Sequence, residues 1–236
     1  MLSKSNISLI TSLAHKKYRD ELGLFVVEGA KMIEEMRLSG YKIHKLFTDA
    51  ELTPAEMKKI SRFKTPSTAL AVVEQPKHEL NIANMSDDLV LALDGIQDPG
   101  NLGTIIRLAD WFGIRHIVCA PTTADCYNSK VVQATMGAIF RVKVYYVSLV
   151  DFCTQMAVKM PIYGTTLDGG NIYEKNLVTP SVLVMGSEGS GISAEVATCL
   201  SERLYIPSYP PENKGSESLN VAVSTAIVCA EFRRRS

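Results

Sequence analysis

The chain has 236 residues, of which 46% are hydrophobic and 21% are charged, and its 25 basic and 25 acidic side chains give a formal net charge of zero. This balance is typical of a folded globular protein and excludes a disordered chain. It also argues against a protein that binds nucleic acid through net charge alone. The longest apolar run, residues 221–230, is about half the roughly 18 residues that a membrane span needs, so no span is predicted.

The cysteines and histidines predict neither disulfides nor a metal site. The five cysteines are odd in number and lack CxxC spacing, so we predict reduced thiols in the core and a cytoplasmic location. The four histidines are isolated along the chain, and each is predicted to lie on the surface or in a loop: His15, His44, His78 and His116.

Residues 1–75 predict a small α/β domain. Short runs rich in β-branched and aromatic residues predict strands at 24–29, 42–48 and 68–74. Helical patterns cover 30–40 and 54–63, and Thr53 followed by Pro54 is a typical helix start. The next segment, 76–88, has no hydrophobic period and is predicted to be a linker.

Residues 89–236 predict a second α/β domain with a mostly parallel sheet. Apolar strands are expected at 89–95, 116–120, 142–147, 161–167, 181–186 and 203–208, with helical segments between most of them. Such strands are buried on both faces by helices. Ligands of parallel sheets bind at the carboxyl ends of the strands, so the loops that follow the strands are the candidate sites.

The first candidate loop follows the strand at 89–95. Pro99 and Gly100 mark a turn, Asn101 is predicted to open a helix, and Arg107 lies in or near its early turns. A helix start presents N–H groups to an anion, and a guanidinium suits phosphate. The alternative is a plain connection in which Asn101 caps the helix and Arg107 is a surface residue. Neither the dinucleotide fingerprint nor the P-loop is present.

The second candidate loop follows the strand at 181–186. Gly186, Gly189 and Gly191 surround Glu188, so the backbone can approach a flat ligand closely. Glu188 would then accept hydrogen bonds or brace a neighbouring loop. The alternative is that Glu188 caps the helix that follows.

The third candidate loop, 208–217, precedes a helix whose start reads Ser-Glu-Ser-Leu-Asn. The structural alternative makes Ser216 or Ser218 the N-cap of that helix. Asn220 is a poor helix former and is predicted just inside the helix. Capping by a serine does not explain its position.

In their order, the three loops resemble the SpoU, or TrmH-like, family of RNA ribose 2′-O-methyltransferases in the SPOUT superfamily. The first loop carries N-x-G-x-x-x-R-x-A from Asn101, and the second carries G-x-E-G-x-G from Gly186. The third carries Ile206-Pro207 and then Ser-Leu-Asn-Val at 218–221. The N-terminal stretch resembles the small substrate-binding domain of such enzymes at Arg19, Phe25, Glu28 and Gly29.

This resemblance implies a SPOUT-type α/β domain with a C-terminal trefoil knot, a homodimer and S-adenosyl-L-methionine as cofactor. It implies catalytic roles for Asn101, Arg107, Glu188, Ser218 and Asn220. It implies cofactor contacts at Thr165, Gly186, Ile206 and Leu219. The mechanism requires no metal. The loop at 206–218 is longer than the usual turn of the family, by about four residues.

The implied reaction moves a methyl group from a sulfonium to a ribose hydroxyl, so the protein has to align the reacting atoms and help to remove a proton. Arg107 is too weak a base for that step, and we expect it to fix a phosphate and stabilise alkoxide charge. The separate N-terminal domain favours ribosomal RNA over transfer RNA, with RNA contacts expected at Lys16, Lys17 and Arg19. The alternative function is a non-catalytic, ribosome-associated RNA-binding protein of the same fold.

Overall fold

The computed structural model describes residues 2–85, 88–210 and 218–235. The chain divides into two compact units, one of Met1–Lys77 with Asp125–Arg141 and one of His78–Ala124 with Val142–Ser236. The helices are α1 (Lys4–Ser12), α2 (Lys16–Leu22), α3 (Ala30–Leu38), α4 (Pro54–Ile60), α5 (Pro99–Trp111), α6 (Ser129–Ala134), α7 (Leu149–Ala157), α8 (Ala194–Ala197) and α9 (Val221–Arg234). The strands are β1 (Leu24–Glu28), β2 (Ile43–Thr48), β3 (Ala69–Glu74), β4 (Leu89–Asp94), β5 (His116–Cys119), β6 (Lys143–Tyr146), β7 (Ile162–Asn171), β8 (Ser181–Gly186) and β9 (Glu202–Tyr205).

The first unit is built on a three-stranded antiparallel sheet in the order β1-β3-β2. The central strand β3 is buried along most of its length, and its Leu70 and Val72 pack with Ile10 and Leu13 from the N-terminal segment. Thr53 caps α4, because its hydroxyl accepts from the Glu56 backbone N–H while the Glu56 carboxylate accepts from the Thr53 N–H. The predicted start of α4 is confirmed.

The segment Asp125–Arg141 packs within this first unit through a buried ion pair. Arg19 is 3% exposed, and its Nε and Nη2 donate to Asp125 Oδ2 at 2.8 and 2.6 Å. Its Nη1 donates to the carbonyls of Leu13 and Ala14 at 2.9 and 2.8 Å. Because a buried guanidinium needs such partners, the expected contact between Arg19 and RNA is wrong. Lys16 and Lys17 are exposed, and Lys16 pairs with Asp20 at 2.6 Å.

The second unit holds a six-stranded parallel sheet in the order β6-β5-β4-β8-β7-β9. Its central strands β4 and β8 are buried along almost their whole length, which is why they read as continuous apolar runs. The register places Asp94 at the end of β4 opposite Gly186 at the end of β8. The predicted α/β fold with a mostly parallel sheet and flanking helices is confirmed.

His116 corrects a prediction, because it lies on β5 and is 8% exposed rather than on the surface. Its ring stacks on Tyr145 at 6.0 Å between centroids, and Nδ1 lies 3.3 Å from the Tyr145 hydroxyl. His78 contacts the other side chain of this pair, with its ring centroid 6.1 Å from that of Tyr145. Burial lowers the pKa of both histidines, and the nearby Lys143 lowers it further.

The described residues contain neither a membrane-spanning helix nor a cluster of metal-binding side chains. No helix in residues 2–85, 88–210 and 218–235 has the length and apolar character to cross a membrane. Within the same ranges, no group of three or more His, Cys, Asp or Glu side chains is placed to hold a metal ion.

Candidate active site

The first loop places Asn101 inside a helix rather than at its start. Helix α5 begins at Pro99, and Asp98 is its N-cap, with Oδ1 accepting from the Asn101 backbone N–H at 2.8 Å. The prediction that Asn101 opens this helix is therefore wrong by two residues, and the alternative that it caps the helix is wrong by three. Asp-Pro is itself a good start signal, since Asp is a preferred cap and Pro is favoured at the first helical position. Because Asp98 is the cap, the side chain of Asn101 is available for other contacts.

Asn220 was predicted to lie just inside the helix that follows the third loop. The structure corrects this, because Asn220 is the N-cap of α9 and lies outside the helix. Its Oδ1 accepts from the backbone N–H groups of Ala222 and Val223 at 3.0 and 3.3 Å. Ser218 lies two residues earlier and is exposed. Ser216 and most of the long loop, residues 211–217, lie outside the described residues.

Asn101, Glu188 and Asn220 form one hydrogen-bonded group, which we call the amide–carboxylate cluster. Asn101 Nδ2 donates to Glu188 Oε1 at 3.0 Å, and Asn220 Nδ2 donates to the same oxygen at 2.5 Å. Asn220 Nδ2 also donates to Asn101 Oδ1 at 3.0 Å, which closes a ring of three side chains. Each residue comes from a different one of the three sequence motifs. Segments up to 119 residues apart in sequence are thus joined at the carboxyl ends of β4 and β8.

Glu188 joins the second loop to the start of α9. Its Oε1 also accepts from the Val221 backbone N–H at 3.3 Å, in the first turn of that helix. A carboxylate at a helix N-terminus is favoured by the partial positive charge there. The helix that follows Glu188 in sequence, α8, has Ser193 as its N-cap, so the alternative that Glu188 caps α8 is wrong.

The two asparagines differ in their spare hydrogen-bonding capacity. An asparagine amide has two N–H donors and two acceptor lone pairs. Asn220 uses both donors in the cluster and both lone pairs on the helix start. Asn101 uses one of each, so it keeps one donor and one acceptor for another molecule.

Arg107 is exposed on α5, beyond the residues of the cluster. Across the part of the chain that the structure describes, its guanidinium makes no hydrogen bond or ion pair. Over the same ranges, Ser218 has no hydrogen bond to the cluster. A guanidinium carries five N–H donors, and none of those of Arg107 is used by a residue in the described ranges.

The second loop is a tight turn fastened at both ends. Ser187 and Gly191 exchange backbone hydrogen bonds at 3.0 and 2.9 Å. A Cβ added at Gly186 would lie 2.2 Å from the carbonyl carbon of Gly191, so only glycine lets these two backbones meet. Asp94 Oδ2 accepts from both the N–H and the hydroxyl of Ser193 at 2.7 Å. The sequence reading missed this clamp, although Asp94 is a lone acid at the end of an apolar strand.

Comparison with known proteins identifies the family. The sequence model of the SpoU rRNA Methylase family matches residues 88–230, which is more than half of the chain. The chain belongs to the SpoU rRNA methylase family. Residues 4–76 match the MRM3-like substrate binding domain. The predicted resemblance is confirmed.

Several relatives of this SpoU-family chain are similar over all or most of its length. The 23S rRNA (guanosine(2553)-2′-O)-methyltransferase RlmP of Bacillus subtilis is 31% identical over 235 residues, covering 92% of each chain. A solved TrmH-family protein from Porphyromonas gingivalis is 42% identical with a TM-score of 0.89, covering 100% of both chains. An AdoMet-bound rRNA methyltransferase from Sinorhizobium meliloti is 29% identical with a TM-score of 0.89, covering 100% of this chain and 97% of that one.

Three of the four residues expected at the cofactor lie in or just after the neighbouring strands β7, β8 and β9, whereas Leu219 lies outside the sheet. Thr165 lies in β7, where its hydroxyl is 3.7 Å from Met185 Sδ of β8. Gly186 ends β8, and Ile206 follows the end of β9. Leu219 precedes the cap of α9 and is 47% exposed. None of these four residues carries a charged side chain.

Proposed function

We propose that the protein is an S-adenosylmethionine-dependent methyltransferase that modifies ribose 2′-hydroxyls of ribosomal RNA. The amide–carboxylate cluster is the observation that carries the proposal, because it unites one polar residue from each of three motifs at one edge of a parallel sheet. A protein that only bound RNA would have no need to assemble these three side chains at one site. The relatives named as 23S rRNA methyltransferases support ribosomal RNA over transfer RNA.

A site lined by Thr165, Gly186, Ile206 and Leu219 would suit S-adenosylmethionine. Its uncharged lining and exposed aliphatic side chain match the flat apolar face of an adenine, and a backbone edge provides hydrogen bonds to the polar rim of such a ring. When bound, the cofactor supplies a methyl group on a positively charged sulfur.

Three kinds of side chain in the protein take part in the reaction: a guanidinium, the amide–carboxylate cluster and a serine hydroxyl. Arg107 binds a phosphate beside the target ribose and stabilises the charge that develops on its 2′ oxygen. Asn101 orients the ribose through its remaining donor and acceptor, whereas Asn220 and Glu188 position Asn101. Ser218, two residues before the N-cap of α9, adds a hydroxyl near the ribose. Because a guanidinium is a very poor base, the hydroxyl proton passes to a phosphate oxygen of the substrate or to water.

A homodimer in the cytoplasm is the form that we assign to the enzyme. Helices α5 and α9 pack against each other and expose apolar side chains, with Trp111 83% and Val223 49% exposed. Exposed apolar surface on a soluble domain favours association with a partner. The trefoil knot implied by the resemblance stays a prediction.

The proposal is tested with the purified full chain, methyl-labelled S-adenosylmethionine and two substrates, deproteinised 23S rRNA and bulk transfer RNA. We expect label in the ribosomal RNA at one nucleotide, which becomes resistant to alkaline cleavage at its 3′ side. Label in transfer RNA alone would contradict the choice of substrate. Failure to bind S-adenosylhomocysteine at millimolar concentration in calorimetry would favour the non-catalytic alternative.

A further inference from the structure

The positive charge of the molecule is concentrated in the first unit. Residues 1–77 and 125–141 carry 15 Lys or Arg and 10 Asp or Glu side chains, an excess of five positive charges. The rest of the chain has the reverse balance, with 10 basic and 15 acidic side chains. A surface that attracts a polyanion is therefore expected on the first unit.

The first unit has a groove of about 220 Å³ whose chemistry suits a nucleotide. We call it the β1–α6 groove, and its walls include Val26, Met32, Arg62, Phe63, Lys130 and Gln133. Its volume is below the roughly 300 Å³ at which sites for whole drug-sized ligands begin, so it has room for a single base. Segment 125–141 forms one wall of the groove. The contacts that hold this segment against residues 1–77 therefore also keep the groove in shape.

The basic side chains of the β1–α6 groove can bind a phosphate, whereas its carboxylate, Glu28, already accepts hydrogen bonds from the protein. The Glu28 carboxylate accepts from the Ser61 hydroxyl and from the backbone N–H groups of Arg62 at 3.0 Å and Ser67 at 3.4 Å. Lys130 is exposed, and its ammonium has no partner within the described ranges. Arg62 donates from Nη2 to the Ile10 carbonyl at 3.1 Å, so Nε and Nη1 are left for a ligand.

Arg62 also connects the groove to a second concave surface. A shallow depression of about 490 Å³ follows one face of α1 and includes Lys4, Thr11, His15 and Tyr18. Arg62 Nη2 lies 3.5 Å from the Thr11 carbonyl, so the two concave surfaces meet at this side chain. Tyr18 is 41% exposed and stands beside Lys17, whose ammonium is 6.0 Å from the ring centroid.

We propose that the β1–α6 groove binds one unpaired nucleotide of the RNA substrate and that the strand continues along the depression on α1. The base packs against Phe63, and Arg62 and Lys130 hold the phosphates on either side of it. Proteins recognise RNA sequence mainly in single-stranded loops, where bases stack on aromatic side chains beside cations. The inference rests on the proposed function, because it takes the substrate to be ribosomal RNA, and it adds where the first unit reads that RNA.

The test measures binding of the full-length chain to a 23S rRNA fragment by fluorescence anisotropy over a range of salt concentrations. Lys130→Gln is expected to lower the affinity about fivefold at 0.1 M salt and to reduce the log–log salt slope by about 0.7, the loss of one single-strand phosphate contact. Phe63→Leu keeps an apolar side chain but removes the stacking face, and we expect a loss of at least about fivefold with an unchanged slope. The matched control is Lys58→Gln, an exposed lysine of α4 outside both concave surfaces.

Methyl transfer by wild-type protein is recorded on the same fragment, which separates this inference from the proposed function. Loss of affinity in the two groove variants with Lys58→Gln unchanged would support the groove, even if the wild-type protein transferred no methyl group. Wild-type affinity and salt slope in Lys130→Gln and Phe63→Leu would overturn it, even if the enzyme were active. Equal losses in all three variants would also overturn it, since they would indicate non-specific attraction.

Discussion

Arg107 combines exposure with a guanidinium that has no partner in the described part of the chain, so its contribution can be tested without disturbing the fold. Arg107→Lys keeps the positive charge but loses the planar fork that binds two oxygens at once. We expect turnover to fall by about 10- to 100-fold at saturating cofactor, somewhat less than for the loss of a complete oxyanion donor. Affinity for S-adenosylhomocysteine should stay unchanged, and near-normal turnover would contradict bidentate binding.

Asn220 has two separable tasks, capping α9 and donating to Asn101 and Glu188. Serine caps helices about as well as asparagine, so Asn220→Ser should keep the unfolding free energy within about 0.5 kcal/mol. It removes the amide donors, so we expect turnover to fall by at least about tenfold because Asn101 loses its orientation. Asn220→Ala loses both tasks and should unfold about 1 kcal/mol more easily. A Ser variant with wild-type turnover would contradict the positioning role.

Individual residues show what the sequence could and could not provide. The residues of the amide–carboxylate cluster were found in the sequence because each stands at a strand end in a family motif. Their mutual contacts could not be predicted from the sequence. These contacts depend on Asp98 being the N-cap of α5 and Asn220 being the N-cap of α9, and sequence patterns locate a helix start only to within one or two residues. The expected RNA contact of Arg19 was wrong because this residue stands in a charged run, which is typical of an exposed helix face. Its burial depends on Asp125, which is 106 residues away in sequence.

At the scale of elements, the end of β8 and the turn after it form one packed piece of backbone. Gly186→Ala would place a methyl group 2.2 Å from the Gly191 carbonyl carbon, so the turn has to move. We expect calorimetry to show that binding of S-adenosylhomocysteine is lost or weakened at least about tenfold, because the proposed cofactor edge is displaced. Gly189→Ala is the matched control, since a Cβ there meets nothing within 4 Å. Equal binding by both variants would count against this cofactor site.

The unfolding free energy of the second unit should depend measurably on pH, because His116 of β5 is buried against Tyr145 of β6. The pKa of His116 is held below its ordinary value of 6.5, first by burial and then by Lys143 and Arg115, while Asp88 opposes the shift. As pH falls through 6.5, the unfolded chain therefore binds a proton before the folded chain does. The unfolding free energy from urea titrations should decrease over this range. His116→Phe should flatten the decrease, and an unchanged slope would exclude His116 as its cause.

Elements were the part of the fold that the sequence predicted best. All nine predicted strands occur, because buried parallel strands are continuous apolar runs and the antiparallel ones have β-branched residues. The ends were less accurate where polar residues extend a strand, as in β7, which continues to Asn171 and not to residue 167. There the register against β9 shifts between Thr165 and Gly170, where Gly169 and Gly170 interrupt the apolar pattern as glycines at a bulge do.

At the scale of the whole molecule, the segment Asp125–Arg141 shows the limit of periodicity. Its sequence lies among the strands of the parallel sheet, yet it packs with residues 1–77 through the Arg19 pair and the bond from the Tyr41 hydroxyl to the Ile139 carbonyl at 3.1 Å. Such contacts join residues about 100 apart, and they follow from complementary burial and charge rather than from local propensity. The groove that uses this segment could therefore not be predicted from the sequence.

The assembly of the enzyme can be tested on the exposed apolar side chains of α5 and α9. We expect a homodimer at micromolar concentration in sedimentation, because Trp111 at 83% exposure is a large side chain of the kind that dominates interfaces. Trp111→Ser should shift the protein toward the monomer by at least about 2 kcal/mol of dimerisation free energy. Val158→Ser, at a valine 88% exposed just after α7, is the control that should remain dimeric. A monomeric wild-type chain, or a dimer indifferent to Trp111→Ser, would contradict an interface on these two helices.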